Sequence, residues 1–255
     1  MLSITLLLAL APVLAPTQDT PLPDERPEVK ALLDELGAHI KAKGEQDDPA
    51  IATIDKLVPE FPNSGPKDRA AIVKVLGGCF DVKRPKEVAE GVLDDKLYIA
   101  AATALGTMGP ESTKVLIPLI GDKSHRKNMT LQQRLALSLG KTKSPDGLKT
   151  LLGLLKHKDA PMQASGAEAL ANYSDAPEAT RKLVFEEVLN VVVDQFTKKE
   201  TSPTDSEALE RWNTISGPMV KTLQALKTGL TEKDPNLLQR WWNDNKKKSW
   251  DEKAG

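Results

Sequence analysis

An all-α solenoid closed by a helical C-terminal cap is the fold this sequence predicts, and three observations predict it. Apolar segments recur about every thirty residues between Leu76 and Ala171, a period typical of solenoid repeats. Each segment, such as KLYIAAATALGTMGPESTKVLIPLIG from Lys96 to Gly121, reads as two short helices split by glycine and proline. Neither helix has enough apolar surface to fold alone, so neighbouring pairs must cover it. Aromatic residues make up only 4% of the chain, while alanine and leucine are plentiful. That mixture suits closely packed helices better than a sheet.

The chain opens on MLSITLLLALAPVLAPTQ, which carries no charged side chain. Its apolar run, Leu2 to Ala11, has the length of a signal-peptide core and is too short to span a bilayer. Residues 1–17 are therefore read as a signal peptide and 18–27 as a Pro-rich linker. The segment before the run lacks Lys and Arg, and proline follows both Ala11 and Ala15. The cleavage position stays open, and an uncleaved, frayed N-terminus is the alternative. The expectation is export to a periplasmic or extracellular location, with no stable membrane insertion once the signal is removed. No cysteine follows the run, which excludes a lipid anchored there. The one cysteine, Cys79, lies in the apolar stretch IVKVLGGCF. It cannot form an intramolecular disulfide and reads as a buried, inert thiol.

Residues 28–198 are read as the repeat region. PEVKALLDELGAHIKAKG and PAIATIDKLVPEFP form a first, atypical pair, as a solenoid end facing water requires. Four copies follow when the chain is aligned on Leu76, Leu105, Leu139 and Leu170. Three positions earlier stand Val73, Ala102, Ala136 and Ala167. Leu97, Leu131 and Met162 stand eight positions earlier in the last three copies. These offsets share one face of a helix, and alanine there lets a neighbour approach closely. Asp94, Asn128 and Asp159 fall where an N-cap belongs. Gly77, Gly106 and Gly140 follow the aligned leucine, and Gly109 stands further on. All four are expected to be left-handed residues that end a helix. A second apolar helix follows each copy: Val88 and Val92; Val115, Leu116 and Leu119; Leu148, Leu151, Leu152 and Leu155; and Leu183, Val184, Val188 and Val191, the last running to about Phe196. An ordinary, non-repetitive bundle is the competing reading.

DDKLYIAAATALGTMG resembles the short bacterial form of the HEAT repeat: Asp, two residues, an apolar residue, usually Arg, then an Ala-rich stretch closing with Ala-Leu-Gly-x-x-Gly. The match is best at Asp94–Gly109, fair at Asn128–Gly140 and Asp159–Tyr173, and faint at Gly65–Gly78. The usual arginine is replaced by Tyr98, Gln132 and Gln163. The resemblance implies that the Asp–Arg ladder between repeats is missing while the packing is kept.

Residues 199–255 are read as a helical C-terminal cap. TKKETSPTDS is a polar linker, and EALERWNTISGPMVKTLQALKTG is expected to break at Gly217–Pro218. In DPNLLQRWWNDNKKKSW, Asp234 is an expected N-cap and Pro235 the first helical residue. Trp241, Trp242 and Trp250 crowd the last fifteen residues. They have two readings: indoles covering the open end of the solenoid, or a partner-binding surface, where tryptophan is enriched.

Catalytic signatures are missing. His39, His125 and His157 are isolated, and no His-Glu dipeptide occurs. The HEAT-like di-iron hydroxylases carry several, so metal chemistry of that kind is not expected. One cysteine excludes clustered zinc thiolates, and there is no phosphate-binding loop, nucleophile elbow or H-E-x-x-H. No catalytic, cofactor-binding or metal-binding residue is assigned. Formal net charge is −1, from 35 basic and 36 acidic residues, too even to favour nucleic acid. The functional expectation is a non-catalytic scaffold outside the cytoplasm. It would bind an unidentified protein partner along the concave face, near Glu87, Lys114, Lys149 and Glu187. An exported enzyme, or enzyme subunit, with a cleft on that face is the alternative.

Overall fold

The computed structural model describes residues 22–82 and 95–251. The expected signal peptide, residues 18–21 of the linker, Glu87, Val88, Val92 and Asp94 lie outside the described residues. Eleven α-helices and no strand occur among the described residues, so the all-helical fold class is correct.

The helices form two rows. The first holds α2 (Asp47–Glu60), α4 (Lys96–Gly106), α6 (Met129–Lys141), α8 (Ala160–Leu170) and α10 (Ser206–Leu226), each packed on the one before it. The second holds α1 (Pro27–Lys41), α3 (Pro66–Gly78), α5 (Thr113–Leu119), α7 (Pro145–Leu154), α9 (Glu178–Thr201) and α11 (Pro235–Asn245). Each second-row helix from α1 to α9 packs on the first-row helix that follows it. The chain thus zigzags between rows, and each turn of the zigzag covers the last.

The aligned residues explain the first row. Leu97, Leu105, Leu131, Leu139, Met162 and Leu170 are buried, and Ala102, Ala136 and Ala167 are fully enclosed. Gly140 permits the closest approach: a Cβ there would lie 2.4 Å from the Ala169 carbonyl oxygen of α8. This corrects one expectation. Gly77, Gly106 and Gly140 are right-handed residues in the last turn of their helices, kept small by a neighbouring helix. Gly109, with φ +61°, is left-handed as expected. The register of the first copy is also corrected. α3 stands in the second row against α1 and α5, and α2 takes the place on α4 that the Leu76 alignment assigned to α3. Leu76 is buried all the same, because helices of either row need an apolar stripe.

Amides replace the ladder between repeats. Gln132 and Gln163 are almost wholly buried. Gln132 donates to the Leu119 carbonyl (3.0 Å) and accepts from the Gly121 N–H (2.7 Å). Gln163 donates to the Leu155 carbonyl (2.7 Å). Each glutamine thus satisfies backbone groups left open where the preceding second-row helix ends. Asn128 caps α6 by accepting from Leu131 N–H and reaches Asp95 with its amide (3.1 Å). Asp159 holds the N-cap position of α8 without a side-chain cap bond.

Two further expectations are corrected near the C-terminus. α9 runs to Thr201, through half of the expected linker. Its last turns are supported by the Lys198–Asp194 pair and by Phe196 packed on Trp212 of α10. α10 passes through Gly217–Pro218 without a break. Pro218 removes one intrahelical hydrogen bond, but Ile215, Met219, Leu223 and Leu226 on both sides are buried. Thr222 also donates to the Ala167 carbonyl of α8 (2.8 Å). Packing of both halves outweighs the local defect. At the other end, residues 22–26 are docked rather than loose. Asp24 accepts from the Lys67 and Asp68 N–H groups, and Asp68 accepts in return from Glu25 and Arg26.

Candidate functional site

Among the described residues, two places gather polar side chains against a concavity or an aromatic surface. The first is where the second row opens. α9 is 24 residues long and α7 only ten, so the α9–α10 hairpin overhangs the preceding pair. Beneath the overhang lies an open groove of about 500 Å³. Lys156, His157 and Lys158 line one wall, Asp194 and Lys198 of α9 the other.

Arg211 of α10 forms its floor. The guanidinium donates to Gln163 Oε1 (2.7 Å) and to the Lys158 carbonyl (2.6 Å). Both acceptors are neutral, and the nearest carboxylate, Glu207, stands 4.0 Å away. Lys198 is paired with Asp194 at 2.7 Å, and Asp205 is occupied in capping α10. Lys156, Lys158, Lys198 and Arg211 in this lining outnumber the carboxylates Asp194, Asp205 and Glu207 by one, a small positive surplus that favours an anionic side chain entering the groove.

The second place is the C-terminal aromatic cluster. Phe185 of α9 is fully buried and is the hub. Trp242 stacks on it with ring centroids 5.2 Å apart, while Trp241 and Trp250 approach it at 5.4 Å. Trp242 and Trp250 are both 5% exposed. Trp241 is half-buried. α11 is positioned for this by the expected cap: Asp234 accepts from the Asn236 and Leu237 N–H groups, with Pro235 opening the helix.

After α11 the chain turns back onto the start of α9. Trp250 N–H donates to Glu178 Oε2 (2.9 Å), and Ser249 Oγ donates to the same oxygen (3.2 Å). Lys182 donates to the Lys248 carbonyl (2.7 Å) and Lys227 to the Trp250 carbonyl (3.1 Å). Arg181, 8% exposed, pairs with Asp251 and also donates to the Ala176 and Leu226 carbonyls. The Lys182 ammonium, and then the Trp250 N–H, hold the Glu178 carboxyl down from 4.5 to about 2.

A carboxyl lowered on folding stabilises the native chain above its unfolded pKa, and the gain fades as pH falls through the folded value. Glu178→Gln should therefore lower the melting temperature at pH 7, with the difference shrinking between about pH 4.5 and pH 2. Thermal melts of both chains across that range check this. An offset that does not change with pH would assign the loss to packing instead.

The remaining sequence-predicted positions are dispersed. Lys114 and Lys149 are exposed on α5 and α7, and Glu187 on α9 lies 4.0 Å from Lys156. His125 is buried, with Nε2 3.1 Å from the Phe80 carbonyl oxygen. Among the described residues no three His, Cys, Asp or Glu side chains converge as a metal ion requires. No helix among them is long and apolar enough to cross a membrane. Arg211, Arg181 and Glu178 escaped the sequence reading. Each acts through a residue 48 or more positions away, and spacing carries no such signal.

Residues 86–171 match the family model of HEAT repeats. The match covers α4 to α8, where the close-packed alanines and glycines lie. Neither the curated proteins nor the solved structures contain a match to this chain.

Proposed function

We propose that this chain, whose residues 86–171 match the HEAT repeats, is a non-catalytic protein-binding scaffold acting outside the cytoplasm. HEAT repeats generally mediate protein–protein interaction, and a helical fold of this type is typically non-enzymatic. The repeat architecture is the observation that carries this reading. It supplies a long surface in which one row packs tightly and the other leaves helix faces and a groove open to a partner. The groove under the α9–α10 overhang, with Arg211 at its floor, is the proposed contact on the concave face. The uncharged, apolar first residues support export.

The test uses the full chain, immobilised and exposed to an extract of the cells that make it, with cross-linking and mass spectrometry. One enriched protein, cross-linked to the groove, is expected. Lys156→Glu combined with Lys158→Glu should reduce its capture at least tenfold. Both lysines are exposed, so stability should change by less than about 0.5 kcal/mol each. Equal capture by this variant would remove the groove from the proposal. Mass measurement of the natural chain tests export: a start near residue 18 supports it, and an intact Met1 recovered from cytoplasm contradicts it.

A further inference from the structure

The segment from Lys248 to Asp251 is held in the manner of a bound peptide. It belongs to no helix. Side chains from distant parts of the chain grip its main chain: Lys182 at the Lys248 carbonyl, Glu178 at the Trp250 N–H, Lys227 at the Trp250 carbonyl. Its indole enters a slot made by Phe185, Trp241 and Trp242. Arg181 and Lys182 stand over the ring at 5.8 and 5.6 Å, and Arg181 takes the carboxylate of the next residue. Such a set recognises an aromatic residue followed by an acid.

The tail is an imperfect occupant of this slot. Trp250 Nε1 is buried with no hydrogen-bond partner, a cost that a phenylalanine in the same slot avoids and that two peptides both carrying tryptophan share equally. Its charge is also mismatched. Among the described residues gripping the tail, Arg181, Lys182 and Lys227 face the single carboxylate Glu178, while the tail answers with one acid, Asp251, and carries Lys246, Lys247 and Lys248 just ahead of it.

We propose that Trp250 and Asp251 are a resident plug in a peptide-binding site on α9, whose ligand is a partner-protein segment with an aromatic–acidic pair preceded by acidic rather than basic residues. The site deepens the scaffold reading by giving the partner a chemistry, and it stands apart from the groove. A partner of this kind displaces the tail without unfolding α11, because the grip is made by side chains of helices that stay in place.

The experiment uses the full-length chain and two fluorescein-labelled hexapeptides, KKKSWD and EEESWD, followed by fluorescence anisotropy. EEESWD should bind at least tenfold tighter than KKKSWD at low salt, with the gap closing as salt rises. Trp250→Ala in the chain empties the slot and should tighten EEESWD binding at least tenfold. Adding Arg181→Gln should reverse that gain.

If KKKSWD binds as tightly as EEESWD, the acidic partner is overturned and exchange of tails between two copies takes its place. If Trp250→Ala leaves binding unchanged, there is no plug. Hydrogen exchange on the unaltered chain gives a check that needs no variant. The Trp250 amide should exchange at least tenfold faster than amides within α11, and equal rates would make the tail an inseparable part of the core. Should the peptides fail while capture through the groove persists, only this inference falls and the scaffold reading stands.

Discussion

Phe185→Ala is expected to destabilise the chain by about 3–5 kcal/mol, the range for truncating a fully buried aromatic side chain. Phe185 has no solvent exposure, and three indoles rest against its ring. Removing it takes away the packing of Trp241, Trp242 and Trp250 together, so α11 and the tail loosen along with α9. Urea unfolding followed by tryptophan fluorescence is the measurement. The midpoint should fall, and the native emission should shift to the red as the indoles meet water. A loss below about 1 kcal/mol would show that the cluster collapses onto the gap and that Phe185 is not its hub.

Gly140→Ala is expected to cost about 1–3 kcal/mol although alanine is the better helix former, because overpacking a tight contact forces the backbone to move. The new Cβ would meet the Ala169 carbonyl at 2.4 Å, and a carbonyl in a helix cannot turn aside as a flexible side chain can. α6 and α8 must separate, and α8 carries α10 with it. Gly153 of α7 is the control, because an added Cβ meets nothing within 4 Å there. Gly153→Ala should stabilise the chain by up to about 1 kcal/mol through helix propensity alone. Thermal melts of the two variants decide the matter. If both change stability in the same direction, Gly140 is not a close-approach position.

These two residues show how far the primary structure could be read. The period near thirty, the alanines at one offset and the N-cap of α11 depend on chemistry within a few residues, so they were legible. Leu105, Leu139 and Leu170 lie in the core as read. The glycines after them are just as visible in the sequence, but their purpose is not. A glycine near a helix end satisfies two demands, a left-handed turn or a close neighbour, and one sequence does not separate them. Gly109 meets the first demand and Gly140 the second. The break expected at Gly217–Pro218 failed for a related reason. Local propensity opposes the helix there, while α8 and α9 supply the burial that keeps it.

Local spacing is enough to specify an all-α chain of short amphipathic helices that must stack, and which leucines and alanines face inward. Helical periodicity and apolar spacing are local properties, and they are written in order along the chain. The packing of whole helices is what puts α3 in the second row, lets Gln132 and Gln163 close the ends of the preceding helices, brings Arg211 to a groove and returns the tail to Glu178 and Arg181. Each of those depends on which distant segment arrives beside a polar group. Long-range partners follow from the packing of whole helices, which adjacent residues do not encode.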